Sequence, residues 1–140
     1  MPNVIAEFRG TYSFLSNFYR AQVEYEGDLY PTVEHAYQAA KTLDRDRRVV
    51  IAHCGAAAVA KAHGRRVSLR PDWEAVKLDI MRTLLHAKFT LDTDLRRQLT
   101  ATAPAQLVEG NWWGDTYWGV CRGVGENHLG RLLMEIRDDA

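Results

Sequence analysis

The spacing of apolar and polar positions divides the chain into a short β-containing N-terminal part and a long helical remainder. Val4 to Arg9 carries the β-branched and aromatic residues of a strand, ended by Gly10. Thr11 to Arg20 is rich in aromatics but follows neither a period of 2 nor one of 3.6, which predicts a packed loop. Gln22-Val23-Glu24-Tyr25 alternates, Glu26-Gly27-Asp28 turns and Leu29-Tyr30 returns, the pattern of a hairpin. Pro31-Thr32 then opens a helix, with Thr32 as N-cap and Glu34 well placed in the first turn. At about 100° per residue, Val33, Ala36, Tyr37, Ala40 and Leu43 form its apolar side. Glu34, Gln38 and Lys41 fall together on another side.

Asp44 to Arg48 reads as a charged junction, followed by a helix to Cys54 that Gly55 breaks. Ala56 to His63 predicts another helix, closed by Gly64. Arg65 to Arg70 is a basic connector, and Pro71-Asp72-Trp73-Glu74 is a strong helix start. Trp73, Val76, Ile80, Met81, Leu84, Ala87 and Phe89 then keep helical spacing, and Leu91 to Thr100 adds a shorter helix. Leu107-Val108 reads as a strand, and Asn127 as the cap of a last helix whose Leu129, Leu132, Leu133 and Ile136 face the core. There is no internal repeat and no linker, so the expectation is an α+β, mostly helical fold. It would be a single compact domain over residues 1–140, with a small N-terminal β-hairpin or sheet.

Composition adds exclusions. A chain of 140 residues can bury about 68–70% of its unfolded surface without a disulfide or metal staple. Eighteen basic residues balance eighteen acidic ones, which removes any global bias toward nucleic acid or anionic membrane. Cys54 and Cys121 are too far apart for a CxxC pair and are expected to be buried free thiols. Met1-Pro2-Asn3-Val4 lacks the basic and apolar regions of a signal peptide, and no window approaches a membrane span, so a cytoplasmic protein is expected.

Most familiar sites are absent. There is no HExxH, GxSxG or Gly-Lys-Ser/Thr loop, and a GxGxxG starting at Gly123 fails at His128. The five histidines lack metal-ligand spacing and read as surface or capping residues. Three polar groupings remain. Glu34 with Lys41, near Tyr37, reads either as a solvated stripe or as a carboxylate and amine for acid–base or nucleophilic work. Asp115 sits in Val108–Gly119, a stretch holding three of the four tryptophans. This stretch reads either as a Gly-punctuated turn with core tryptophans or as a ligand wall with an acid. Gly119 to Asn127 reads either as a plain cap or as an anion site at a helix N-terminus.

The run Glu34-His35-Ala36-Tyr37-Gln38-Ala39-Ala40-Lys41 resembles the EH-x-x-Q-x-x-K block of the NADAR family, also called YbiA-like N-glycosidases. Four more segments agree in order: Phe14 to Tyr19, Arg70 to Phe89, Trp113-Gly114-Asp115, and Gly125 to Arg137. The resemblance covers nearly the whole chain. It implies cleavage of N-glycosidic bonds to ribose, without a cofactor or a metal. The implied substrates are ribosylamine phosphate intermediates of early riboflavin synthesis, as metabolite clearance, or ADP-ribose on guanine in DNA or RNA.

On this resemblance Glu34, Lys41 and Asp115 become the catalytic candidates. The carboxylates would stabilise an oxocarbenium-like C1′ and move the leaving proton, and the Lys41 amine would alternatively form a Schiff base. Phe14, Asn17, Phe18 and Tyr37 would line the substrate on one side, with Trp113, Gly114 and Trp118 as an opposite wall. Asn127 is a phosphate candidate. Arg65, Arg66 and Arg70 read equally as phosphate holders or as solvated charge. The alternative is a non-catalytic module that binds ADP-ribose or nucleotides with the same walls.

Overall fold

In a computed structural model, which describes residues 2–139, the chain forms two compact units. One is Asn17–Lys88, and the other joins residues 2–16 to residues 89–139.

The Asn17–Lys88 unit begins with the expected hairpin. Strand β2 (Val23–Tyr25) pairs antiparallel with β3 (Asp28–Tyr30), Val23 opposite Tyr30. Glu26 and Gly27 both adopt positive φ, 49° and 89°, as a tight turn between right-twisted strands requires. Helix α1 (Val33–Ala40) follows, then α2 (Arg45–Ala52), α3 (Ala57–Gly64) and α4 (Trp73–Leu91). The last turn of α4 belongs to the other unit. Packing of α1 against α2, α3 and the hairpin makes this unit's centre, and all eight α1 residues are buried.

Complete burial makes partners valuable to the polar side chains of α1, and all but Gln38 Oε1 find one among the described residues. Thr32 caps the helix by accepting the His35 N–H (3.0 Å) and donates its hydroxyl to His35 Nδ1 (2.7 Å). The opposite ring nitrogen, Nε2, donates to the carbonyl of Cys54 (3.0 Å), fastening the start of α1 to the end of α2. His35 is therefore a core residue, not the surface or capping histidine that its lack of metal spacing suggests. Leu43, expected on the apolar side, lies beyond the helix and is 60% exposed.

Two helix boundaries differ from the pattern-based expectation. The supposed charged junction is the first turn of α2, because the Asp44 carboxylate accepts from the N–H groups of Asp46 (2.9 Å) and Arg47 (3.4 Å). Within that turn Arg48 is buried, donating to the Thr42 carbonyl (2.8 Å) and pairing with Glu26 at 2.7 Å. Gly64 lies inside α3 and does not serve as a left-handed stop. Its hydrogen is needed because a methyl there would overlap the amide of Gln38.

In the second unit β1 (Val4–Ile5) pairs in parallel with β4 (Gln106–Leu107). The strand expected through Arg9 stops early because its partner is two residues long, and Glu7 and Arg9 beyond it pair with each other at the surface. Gly10–Leu15 forms a 3₁₀ turn within the predicted loop. Helix α5 (Thr93–Thr100) is capped by Asp92, and the two-residue strands β5 (Gly110–Asn111) and β6 (Val120–Cys121) pair in parallel. Helix α6 (His128–Asp138) turns Leu129, Leu132, Leu133 and Ile136 inward, as its spacing predicts. Cys54 and Cys121 are free, but each is half-buried, not fully buried. Among the described residues no helix is long and apolar enough to cross a membrane.

Burial holds the His35 pKa below its ordinary 6.5, opposed by its bond to the Cys54 carbonyl and aided by Arg20. A base with a depressed folded pKa stabilises the fold above 6.5, and that contribution is lost progressively as pH falls from the unfolded value through the lower folded one. Urea unfolding of wild type and His35→Gln between pH 7.5 and 5.5 is expected to show an acid-side loss of stability in wild type that the variant lacks.

Candidate active site

Within Asn17–Lys88 the structure brings together Asn17, Glu34, Tyr37, Gln38 and Lys41. Glu34 and Gln38 are one helical turn apart on α1, and the Gln38 amide donates to Glu34 Oε2 at 2.6 Å. Both are buried, so the carboxylate orientation is set by a neighbouring amide instead of by bulk water. The Glu34 N–H donates to the Asn17 carbonyl (3.0 Å), which ties the end of the aromatic loop to the first turn of α1. Asn17 is buried as well. Its Nδ2 meets Met81 Sδ of α4 at 3.6 Å, while its Oδ1 has no hydrogen-bond partner among the described residues.

Lys41, the C-cap of α1, is half-buried with Nζ 5.6 Å from the centroid of Tyr37. Tyr37 in turn packs on Trp73 at 5.2 Å. Burial is the main force lowering the Lys41 pKa from its ordinary 10.5. Glu34 opposes that shift, and the positive charges of Lys61, Arg65 and Lys77 add to it. The Glu34–Gln38–Lys41 side of α1 is thus a buried polar seam, not a solvated stripe.

Phe14 and Phe18, paired as stacking rings in the sequence, belong to different units. Phe14, in the 3₁₀ turn, is buried, whereas Phe18 is 44% exposed. In the basic connector, Arg70 pairs with Asp72 at 2.7 Å and its backbone N–H donates to the Lys41 carbonyl (2.7 Å).

Trp113, Gly114, Asp115, Trp118 and Asn127 belong to the second unit. Asp115 Oδ1 accepts from the N–H groups of Tyr117 (3.1 Å) and Trp118 (2.9 Å), and its own N–H donates to Asn111 Oδ1 (3.0 Å). Asn111 Nδ2 returns to the Asp115 carbonyl at 2.8 Å, so two side chains lace the whole tryptophan loop. Trp118 packs edge-on to Tyr117 at 4.8 Å, and Tyr117 lies 4.5 Å from His128. Trp112 and Trp113, 5.6 Å apart, remain exposed.

Asn127 does not cap α6 with its side chain. It adopts φ 55°, and its amide donates to the Leu107 carbonyl and accepts from the Glu109 N–H, both at 2.9 Å. The N–H groups of His128 and Leu129 donate to the carbonyls of Tyr117 (3.1 Å) and Trp118 (2.9 Å). The start of this helix is therefore satisfied by the tryptophan loop, which removes the donors that an anion site there requires.

One buried group escaped the sequence-based candidates. Lys88 of α4 is 1% exposed, with Nζ 5.6 Å from the Tyr19 ring. It occupies an apolar register position, four residues after Leu84 and seven after Met81, and that placement was its available signal. Burial pulls its pKa down to about 7. Among the described residues no group of three His, Cys, Asp or Glu is arranged to hold a metal ion.

Residues 6–139 match the NADAR domain, and the chain belongs to that family. The chain is 43% identical over 144 residues to N-glycosidase YbiA of Escherichia coli strain K12, with 99% of this chain and 89% of that protein aligned. The solved structure of E. coli YbiA superposes with a TM-score of 0.86 at 42% identity, covering 99% of this chain and 86% of the other. An N-glycosidase of Nostoc punctiforme is 37% identical over 91% of this chain and 85% of its own length. A riboflavin biosynthesis protein of Vibrio vulnificus is 34% identical over 91% of this chain, which spans 35% of that longer protein.

Between pH 7 and 10.5 the unfolded chain binds a proton that folded Lys88 has released, so this residue's burden on stability falls as pH rises. Lys88→Met carries no such titration. Its stability difference from wild type, measured by urea unfolding, is expected to shift steadily in favour of wild type from pH 7 toward 10.

Proposed function

We propose that this protein, an N-glycosidase by its family and relatives, cleaves the bond between ribose C1′ and a base or amine nitrogen, with α1 as its catalytic element. The observation that carries the reading is the placement of Glu34 and Lys41 on one buried face of that helix, the acid fixed by Gln38 and the amine shifted toward neutrality. A fixed carboxylate stabilises positive charge developing at C1′. A less basic amine is the better nucleophile at neutral pH.

In the covalent version, Lys41 Nζ adds to C1′, the base departs with a proton, and the ring oxygen is protonated as the sugar opens to a Schiff base. Water then adds to the imine carbon, releasing the amine and a sugar aldehyde that recloses. In the direct version, water attacks C1′ in place of Lys41, its proton passes to the Glu34 carboxylate, and that proton leaves with the departing nitrogen. Asp115 enters as the second acid through the family resemblance. Because its Oδ1 also holds the tryptophan loop, Asp115→Asn is the informative substitution: the amide oxygen still accepts from Tyr117 and Trp118 while the charge is lost.

The substrate reading is a phosphorylated ribosyl compound. Asn17 Oδ1, buried without a partner among the described residues, suits a ribose hydroxyl. The positive field of Lys61, Arg65 and Lys77 at Lys41 favours a phosphate. Riboflavin-pathway ribosylamine phosphates are the first substrate class, supported by the name of the Vibrio relative. ADP-ribosylated guanine is the second, supported by exposed Phe18, a ring on which a base can stack.

Chromatography of released base and sugar, run on both classes with one enzyme preparation, tests the activity and separates the substrates. Release from neither class, with tight ligand binding retained, would point instead to a binding module. Glu34→Gln and Asp115→Asn are each expected to lower kcat by about 10²–10⁴-fold. Borohydride added during turnover is expected to trap sugar on wild type and not on Lys41→Ala, and the absence of any adduct on wild type would exclude the covalent version.

A further inference from the structure

A second concave site lies past the C-terminal end of α1, wholly within the Asn17–Lys88 unit. It is a cleft of about 450 Å³ between α2, α3 and the connector after α3. Arg47 of α2, His63 of α3 and Arg66 of the connector reach it from three elements, and Ser68 adds a hydroxyl. Val50 and Val67 give it an apolar wall. Glu34, Tyr37 and Lys41 do not line it.

The two arginines of this cleft differ from most others in the chain. Arg9, Arg45, Arg48, Arg70, Arg82, Arg97 and Arg137 are each paired with a carboxylate. Among the described residues the side chains of Arg47, His63 and Arg66 have no hydrogen-bond or ionic partner. The one acid lining the cleft, Asp44, has Oδ1 committed to the N–H groups that start α2. In a protein whose formal charge is balanced, this local excess is a product of the fold and not of composition. Guanidinium forks match phosphate oxygens in pairs, and an apolar wall strengthens that attraction by thinning the water around it. The volume lies within the range of small-ligand sites.

We propose that this cleft is a phosphate-binding site separate from the Glu34–Lys41 centre, in which Arg47, His63 and Arg66 hold the phosphate of a nucleotide and Val50 and Val67 take its sugar or ring. The nucleotide is either free or part of a polynucleotide strand, since both present the same phosphate.

The test is a titration of ¹⁵N-labelled protein with inorganic pyrophosphate, AMP and an oligothymidylate at constant ionic strength. Saturable shifts at Arg47, His63, Arg66 and Ser68, with a Kd below about 1 mM for pyrophosphate, are expected. The double variant Arg47→Ala/Arg66→Ala should weaken binding at least about tenfold. Arg47 and Arg66 are exposed, so an otherwise unchanged spectrum verifies that this variant is folded. Tighter binding of AMP than of pyrophosphate, with shifts at Val50 and Val67, identifies a free nucleotide. Tighter binding of the oligothymidylate, weakening steeply with salt, identifies a strand. Shifts confined to the neighbourhood of Lys41, no saturable shift, or equal affinity in the double variant would each overturn the proposal. None of these readouts depends on glycosidase activity.

Discussion

The constraint on which the Asn17–Lys88 unit depends is that α1 is buried on every side while carrying three polar side chains. An exposed helix would leave Glu34, His35 and Gln38 to water. Here each must be answered by the protein, and the answers fix the surroundings. His35 draws in the end of α2 through a carbonyl. Gln38 is spent on Glu34, and the space it needs dictates a glycine on α3. The N–H of Glu34 takes the carbonyl of Asn17 and brings the aromatic loop with it. The hydrogen bonds of one short helix thus assemble the neighbourhood of the proposed catalytic acid, and structural and chemical demands fall on the same atoms.

The tryptophan loop solves a comparable problem by different means. It has almost no regular structure, so Asn111 and Asp115 supply from their side chains the hydrogen bonds that a sheet would supply from its backbone. The carbonyls at the far end of the loop close the first turn of α6. A helix start that reads in sequence either as a plain cap or as an anion site is therefore already occupied by the chain itself.

Local signals are the legible ones. Thr32, Pro71 and the Glu26-Gly27 turn act within a few residues of themselves, and the elements they announce form where expected. The same holds for the apolar spacing of α4 and α6. The short parallel pairings of β1 with β4 and β5 with β6 depend on partners far along the chain, so the first strand reads longer in sequence than it is. The Asp44 cap is hidden in a charged run whose composition suggests a junction. Glu34, Gln38 and Lys41 stand out on one face, but their burial is not visible there, because a polar stripe has the same spacing whether water or another helix covers it. Lys88 escapes for the opposite reason: its register is apolar, and its charge leads away from the core.

Gly64 and Gln38 fit closely across two helices. A side chain at position 64 would take the space of the Gln38 amide, and a shorter residue at 38 would leave the Glu34 carboxylate without its orienting donor. The two positions, on different helices, are therefore coupled in any lineage that keeps this acid. A lineage that placed a side chain at 64 would have to move or replace Gln38, and would be expected to show a different way of holding the carboxylate. Pairwise variation at 38 and 64 would consequently record the history of the proposed catalytic helix better than the acid itself, which offers evolution little to vary.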